Sequence, residues 1–278
     1  MRADEHPYFD GDKPLAFAHR GGAKRWPENT LRAFQESIAR GYRHIETDIH
    51  LTRDGQLVVF HDDTLDRCTD GSGPIAARTV AELKRLDAGY RFTPDGGATY
   101  PFRGQGITIP TLEEALALGP EIRFNLEMKP HTPAIAWTLW DFLRAREDRR
   151  RVLAASAYSP NVIEFRRLSD GSVPSSPGFD EILKFWTAVR TGTHRLVYGA
   201  RGPDFHALQL PVKHGPLTVT NKRLVRVAHA YGLHVHVWTI DEADEMRRLV
   251  ELGVDGIMTD RPDLLLKVLG REAAPAPT

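Results

Sequence analysis

Five residues of this chain place ionisable groups where apolar runs end. His19 closes Leu15-Ala16-Phe17-Ala18-His19, and Glu46 and Asp48 lie in His44-Ile45-Glu46-Thr47-Asp48-Ile49. His61 follows Leu57-Val58-Val59-Phe60, and Glu127 sits in Phe124-Asn125-Leu126-Glu127-Met128-Lys129. A charge at the end of an apolar strand costs stability unless it is paired or binds a cation. Residues two apart on a strand share a face, so Glu46 and Asp48 point one way together, as do Glu127 and Lys129. Three carboxylates near strand ends form a hard oxygen donor set, which with no cysteine nearby suits Mg²⁺ or Ca²⁺, or Mn²⁺, rather than structural zinc. The competing reading is that each acid is simply neutralised by Arg20, Lys129 or another surface cation. His19 and His61 can each titrate near neutrality, so one can withdraw a proton while the other donates one. Arg20 and Lys129 add fixed positive charge, a combination suited to an anion such as a phosphoryl group. The expected chemistry is metal-assisted phosphodiester cleavage by an acid and base pair of histidines. The residues leave open which histidine is which, and whether water or a substrate hydroxyl attacks.

Short apolar runs that alternate with longer amphipathic segments must position these groups, and that alternation is the mark of βα units around a parallel sheet. Eight runs are expected as strands: Leu15 to His19, His44 to Ile49, Ile122 to Met128, Val152 to Ser156, Ser172 to Ser175, Ala207 to Pro211, His234 to Thr239 and Gly256 to Thr259. Helical patterns follow most of them, at Thr30 to Arg40, Pro133 to Arg146, Pro160 to Leu168, Asp180 to Arg190, Val219 to Tyr231, Asp241 to Leu252 and Pro262 to Leu269. Asn29 or Thr30 can cap the first of these helices and Asp241 the sixth. The pattern points to a (β/α)8 TIM barrel. Between His61 and Glu127 the rhythm breaks, and Gly71 to Gly73 with Pro94 to Gly106 read as irregular chain. A small insertion after the second strand, about residues 66–110, is expected over the barrel mouth, with helices at Thr79 to Leu86 and Thr111 to Leu118. The expected organisation is an N-terminal segment at 1–14, a catalytic barrel at 15–270 and a flexible tail at 271–278.

Lys and Arg together number 37, as do Asp and Glu, so no global field favours nucleic acid or an anionic bilayer. The basic run Arg144 to Arg151 is interrupted by Glu147 and Asp148 and reads as a solvated helix end. A single cysteine, Cys68, excludes an intrachain disulfide and a multi-cysteine zinc site and suits a reducing compartment. The first residues lack the apolar core of a signal peptide, and no stretch approaches a membrane span, so a cytoplasmic location without stable membrane insertion is expected. Oligomeric state is not legible.

His19-Arg20-Gly21-Gly22, Pro27-Glu28-Asn29-Thr30, Glu46-Thr47-Asp48, His61-Asp62, Asn125-Leu126-Glu127-Met128-Lys129, Trp238-Thr239 and Gly256-Ile257-Met258-Thr259-Asp260-Arg261-Pro262 together resemble the glycerophosphodiester phosphodiesterases. The resemblance runs from about Leu15 to Leu265. It implies a (β/α)8 barrel with a small insertion after the second strand, and release of an alcohol from a glycerophosphodiester to leave sn-glycerol 3-phosphate. It further implies Glu46, Asp48 and Glu127 as metal carboxylates and His19 and His61 as the acid and base pair. Arg20 and Lys129 match the family's phosphate contacts, and Trp238 an aromatic near the substrate. The sequence departs from the pattern at Ile240-Asp241, where Val-Asn is frequent, and at Ala157-Tyr158-Ser159, where Ser-Phe is frequent. Glu28 and Asn29 are expected to orient Arg20 and start a helix, and His234 and His236 to be hydrogen-bonded core residues. Trp26, Tyr90, Phe92 and Phe102 fit either a contact to substrate or packing of the insertion.

Three other functions compete. Lysophospholipase D-type cleavage of single-chain phospholipids keeps the fold and changes the substrate. Proton abstraction beside a carboxylate would use the same acids but gives the paired histidines no role. A non-catalytic binding module would leave the full set of groups unexplained.

Overall fold

A computed structural model describes residues 2–271, and the expected flexible tail lies outside the described residues beyond Arg271. In chain order the first elements are β1 (Leu15–His19), α1 (Leu31–Ala39), β2 (His44–Leu51), β3 (Leu57–Val59), α2 (Val80–Leu83), α3 (Leu112–Leu116) and β4 (Arg123–Met128). There follow α4 (Ala134–Leu143), β5 (Val152–Ala155), α5 (Ser159–Ser169), α6 (Phe179–Thr191), α7 (His194–Tyr198) and β6 (Ala207–Leu210). A two-residue hairpin, β7 (Lys213–His214) and β8 (Leu217–Thr218), precedes α8 (Lys222–Ala230) and β9 (His234–Val237). The last elements are α9 (Ala243–Leu252), β10 (Gly256–Thr259) and α10 (Pro262–Val268). Contacts group the chain into two compact units: residues up to Ala16 with His131–Met258, and Phe17–Pro130 with the residues from Thr259 onward.

The second of these units is organised around β2. It runs parallel to β1, with His19 opposite Glu46, and parallel to β4, with Asp48 opposite Glu127. Only the last residue of β2 is less than buried, the burial expected of a parallel strand covered on both faces. Helix α1 starts where Thr30 accepts a hydrogen bond from the Ala33 amide at 3.2 Å, and it buries Ala33, Phe34 and Ser37. Thr30, not Asn29, is therefore the cap.

Strand β3, the apolar run before His61 that was not counted among the eight expected strands, folds back antiparallel on β2. That return carries His61 beside the residues of β2. The rest of the segment before β4 packs Val58, Phe60, Leu65, Ile75, Leu83 and Ile109 into its own apolar cluster. Thr79 with Glu82 and Thr111 with Glu114 close reciprocal caps that start α2 and α3. Residues 94–106 form only turns and bends, as their composition anticipates.

In the other unit β9 lies between β6 and β10, all parallel. The strand expected at Ser172 to Ser175 does not form. Ser175 alone makes a parallel bridge to Ala154, because Pro174 and Pro177 can donate no ladder bonds. Helix α9 begins after Glu242 with no side-chain cap, so Asp241 does not serve as the cap. The basic run also differs from expectation. Helix α4 ends at Leu143, and Glu147–Arg151 forms a separate 3-10 turn in which Asp148 pairs with Arg146 and Arg151. His234 is buried and bonds Asp4 and Lys13, as a core histidine should.

Candidate active site

Seven of the eight residues singled out in the sequence lie in the β2-centred unit, on β1, β2 and β4 and the segments that follow them. Trp238 is the exception. It belongs to the other unit, directly after β9, with its side chain exposed.

The turn after β1 is built by backbone freedom. Arg20 has φ 51°, and Gly21 and Gly22 have φ 80° and 100°. A Cβ on Gly21 would stand 2.7 Å from Phe34 Cδ1 and 2.8 Å from Ala33 Cβ, so the glycine lets the turn press onto α1. We expect Gly21→Ala to destabilise the fold by about 1–3 kcal/mol from the left-handed backbone alone, with the contact to Phe34 adding to it. A urea melt that leaves stability unchanged would remove this role. The turn also delivers the Arg20 amide to Glu46, at 2.9 Å from its carbonyl and 3.2 Å from Oε2.

Glu46, Asp48 and Glu127 each offer a carboxylate oxygen within 4.8 Å of the others. Asp48 accepts from Asn29 Nδ2 at 2.9 Å and pairs with Arg20 Nε at 3.3 Å and Lys129 Nζ at 3.6 Å. Glu127 pairs with Lys129 at 3.3 Å. The pairing of acids with Arg20 and Lys129 is thus real, but its close ion pairs hold Asp48 and Glu127, and Arg20 acts on Glu46 through its field and its amide. That buried carboxyl has His19 Nε2 at 3.7 Å and the Arg20 amide. Burial, and then the Asp48 charge, push its pKa well above the carboxylate range. A crowded, partly uncompensated oxygen set of this kind fits a hard divalent cation, whose ligand oxygens lie on the order of 3 to 5 Å apart at metal–oxygen distances of about 2.0–2.6 Å.

Both histidines are held in the same manner. His19 donates from Nδ1 to Asp260 Oδ1 at 2.7 Å, leaving Nε2 towards Glu46. His61 donates from Nδ1 to Asp62 Oδ1 at 2.5 Å, and its Nε2 accepts from Lys129 Nζ at 3.2 Å. Burial acts to lower the His19 pKa, but Glu46 and Asp260 outweigh it and raise it to about 9. Burial likewise opposes the Lys129 charge, and Glu127 with Asp48 more than restores it.

Several groups were not foreseen. Asp260 and Asp62 stand in the quoted motifs, and Asp62 is the neighbour of His61, so both had a signal. His50 continues the two-residue alternation of Glu46 and Asp48 and bonds the His61 carbonyl at 3.1 Å. Arg67, in the insertion, had none. It binds Glu28 through Nη1 and Nη2 and Asp62 through Nε and Nη2, all at 2.7–2.9 Å. Glu28 in turn accepts from Arg20 at 3.0 Å, as expected, whereas Asn29 bridges Thr47 and Asp48. Trp26 is buried under the Arg40 guanidinium and serves packing, whereas Phe92 packs edge-on against Phe102 and also lines a cavity.

A family model described as the glycerophosphoryl diester phosphodiesterase family matches residues 19–264. A probable glycerophosphodiester phosphodiesterase 2 of Mycobacterium tuberculosis is 35% identical over 256 residues, covering 92% of this chain and 90% of that protein. Among solved structures, the glycerophosphoryl diester phosphodiesterase domain of an uncharacterized M. tuberculosis protein superposes with TM-score 0.81 at 22% identity, over 94% of this chain and 100% of that one. An Oleispira antarctica phosphodiesterase in complex with the product sn-glycerol-3-phosphate gives TM-score 0.72 at 26% identity, over 92% and 97%. The shared fold is a TIM-barrel-like α/β fold of parallel strands, the class expected from the sequence.

Proposed function

We propose, from the premise that this chain belongs to the glycerophosphoryl diester phosphodiesterase family and is an enzyme of it, that it hydrolyses glycerophosphodiesters to sn-glycerol 3-phosphate and an alcohol. The observation that carries the reading is the matched pair of histidines. Each has Nδ1 anchored by a carboxylate, while Nε2 of His19 stands 3.7 Å from Glu46 and Nε2 of His61 meets Lys129, which pairs with Asp48 and Glu127. The Oleispira antarctica structure with its bound product supports the substrate class.

In this reading Glu46, Asp48 and Glu127 hold one divalent cation, Mg²⁺ or Ca²⁺ or Mn²⁺. Bound there, the ion neutralises charge on the non-bridging phosphoryl oxygens. Arg20 and Lys129, both kept charged by the neighbouring carboxylates, bind the same phosphoryl group. Asn29 fixes the Asp48 carboxylate, and Glu28 fixes the Arg20 guanidinium. One histidine takes the proton of the attacking oxygen while the other protonates the departing alcohol, and the Asp260 and Asp62 carboxylates set the tautomer each needs. The insertion, about residues 66–110, reaches this site through Arg67, which holds Glu28 and Asp62. The free thiol of Cys68 suits action in the cytoplasm, and no helix among the described residues is long and apolar enough to cross a membrane.

Glycerophosphoglycerol and lysophosphatidylcholine, each supplied with Mg²⁺, Ca²⁺ or Mn²⁺, separate the readings. Release of sn-glycerol 3-phosphate from the water-soluble diester, read by a coupled dehydrogenase, is the expected result. Turnover of the lipid alone moves the function to a lysophospholipase D type. A product without a phosphate ester overturns both.

A further inference from the structure

Beside the catalytic groups, within the same unit, lies a cavity of about 570 Å³ whose wall is unusually basic. Lys24, Arg25, Arg67, Arg91 and Arg261 line it, and Glu28 is the one acid that does. Both hydrogen-bonded sides of Glu28 are already taken, by Arg20 and Arg67. Arg67 and Arg20 hold its carboxyl below the usual carboxylate range despite burial, so it is an occupied anion. The Cys68 thiol in the same wall is pushed up to about 12 by burial and adds no negative charge. Among the described residues Arg25 and Arg261 pair with Asp263, at 3.8 and 3.4 Å. Arg91 has no carboxylate partner among the described residues. Its Nε donates to the Thr69 carbonyl at 3.2 Å, and its guanidinium lies over the Tyr90 ring.

The cavity touches the reaction through its own wall. Glu28 and Arg67 form part of it, and they hold Arg20 on one side and Asp62, the partner of His61, on the other. A substrate whose phosphoryl group meets Arg20 and Lys129 therefore has a cationic chamber next to it.

We infer that this chamber is a specificity subsite for the alcohol half of the diester, and that it selects alcohols carrying a phosphate of their own. The inference rests on the glycerophosphodiester reading of the site and names the substrate class within it. Chemistry decides which half occupies the chamber. The glycerol half has only hydroxyls, and a neutral polyol gains little from several guanidinium and ammonium groups. The variable alcohol is the half that can carry an ionised group. Phosphate, with three acceptor oxygens, matches planar guanidinium forks better than any neutral or cationic head. A choline head would set a cation beside Arg91, which has no carboxylate partner among the described residues, and be disfavoured.

Three diesters that differ in the charge of the alcohol measure this: glycerophosphocholine, glycerophosphoglycerol, and glycerophosphoglycerol bearing a terminal phosphate. With the wild type, kcat/KM is expected to fall in the order anionic, neutral, cationic, and 0.5 M salt should compress the series. Arg91→Ala is the diagnostic variant because the side chain sits at the surface of the insertion and supports no buried acid. It should lower the ratio of anionic to neutral kcat/KM about tenfold, mainly through KM, as expected for one lost charge-assisted contact. Arg91→Lys should restore part of the ratio. An unchanged ratio in Arg91→Ala, or a wild type that prefers the neutral diester, overturns the subsite. A calorimetric titration keeps this outcome distinct from failure of the underlying reading. Glycerol 1-phosphate is titrated, in the presence of a chelator, into wild type and Arg91→Ala. If no diester is turned over, the glycerophosphodiester reading fails, while binding weakened at least fivefold in the variant still supports the anion subsite and equal affinities reject it.

Discussion

His19→Ala and His61→Ala each lower kcat by about 10²–10⁴-fold, the usual worth of positioned proton transfer, while leaving the protein folded. Their positions justify both halves of that expectation. Each ring is tethered through Nδ1 and contributes Nε2 to the site, so truncation removes the atom that would carry the proton. Neither ring is part of the apolar core. Removing His61 frees Asp62, which Arg67 still holds with two hydrogen bonds. Removing His19 takes one hydrogen bond from Asp260 and withdraws a charge that favours ionised Glu46, a loss this buried acid meets by staying protonated. Circular dichroism melts alongside steady-state kinetics check the pair. Retention of substantial activity in either variant would remove that histidine from the mechanism.

The second large effect concerns the acidic cluster. Chelation is expected to abolish turnover, and Glu46→Gln to abolish the stabilisation that a divalent ion gives the wild type. A ligand at a hundredfold its Kd adds about 2.7 kcal/mol to folding, enough to read as a shift in Tm. Glu46 is the better position to alter than Asp48, which Asn29, Arg20 and Lys129 all hold. The sign in the ion-free protein is opposite. Glu46 has a folded pKa raised above its unfolded value, by burial and then by Asp48. A raised acid favours the folded state only while protonated, so its ionisation costs stability as pH climbs above the unfolded pKa. At neutral pH the ion-free Glu46→Gln protein should therefore melt at or above the temperature of ion-free wild type. A variant that keeps the full ion-induced rise would show that Glu46 is not a ligand.

The candidate cluster was legible because strand periodicity is a local rule. Glu46 with Asp48 and Glu127 with Lys129 share faces by alternation alone, and the pairing of β2 with β4 sets Asp48 opposite Glu127. What fixes the cluster in place was less legible, since it depends on contacts distant in sequence. Asp260 reaches His19 across 241 positions, and Arg67 reaches Glu28 across 39. The strand at Ser172 to Ser175 failed for a local reason that was in view, two prolines in six residues, so that Ser175 keeps one bridge and no more. The run that forms β3 was in view as the approach to His61, but not its pairing. Three apolar residues of a short return strand carry no period, and only pairing with β2 reveals it.

The double grip of Arg67 on Glu28 and Asp62 has a consequence for attempts to engineer this protein. Loops are commonly exchanged between relatives to change substrate range, on the assumption that the donor segment is modular. Here the segment that would be exchanged contributes a guanidinium to the orientation of both Arg20 and His61. A graft that omits this arginine would slow catalysis before any new specificity could be seen. Transplants should therefore be cut to retain Arg67, or should bring an equivalent cation at the same point of the backbone.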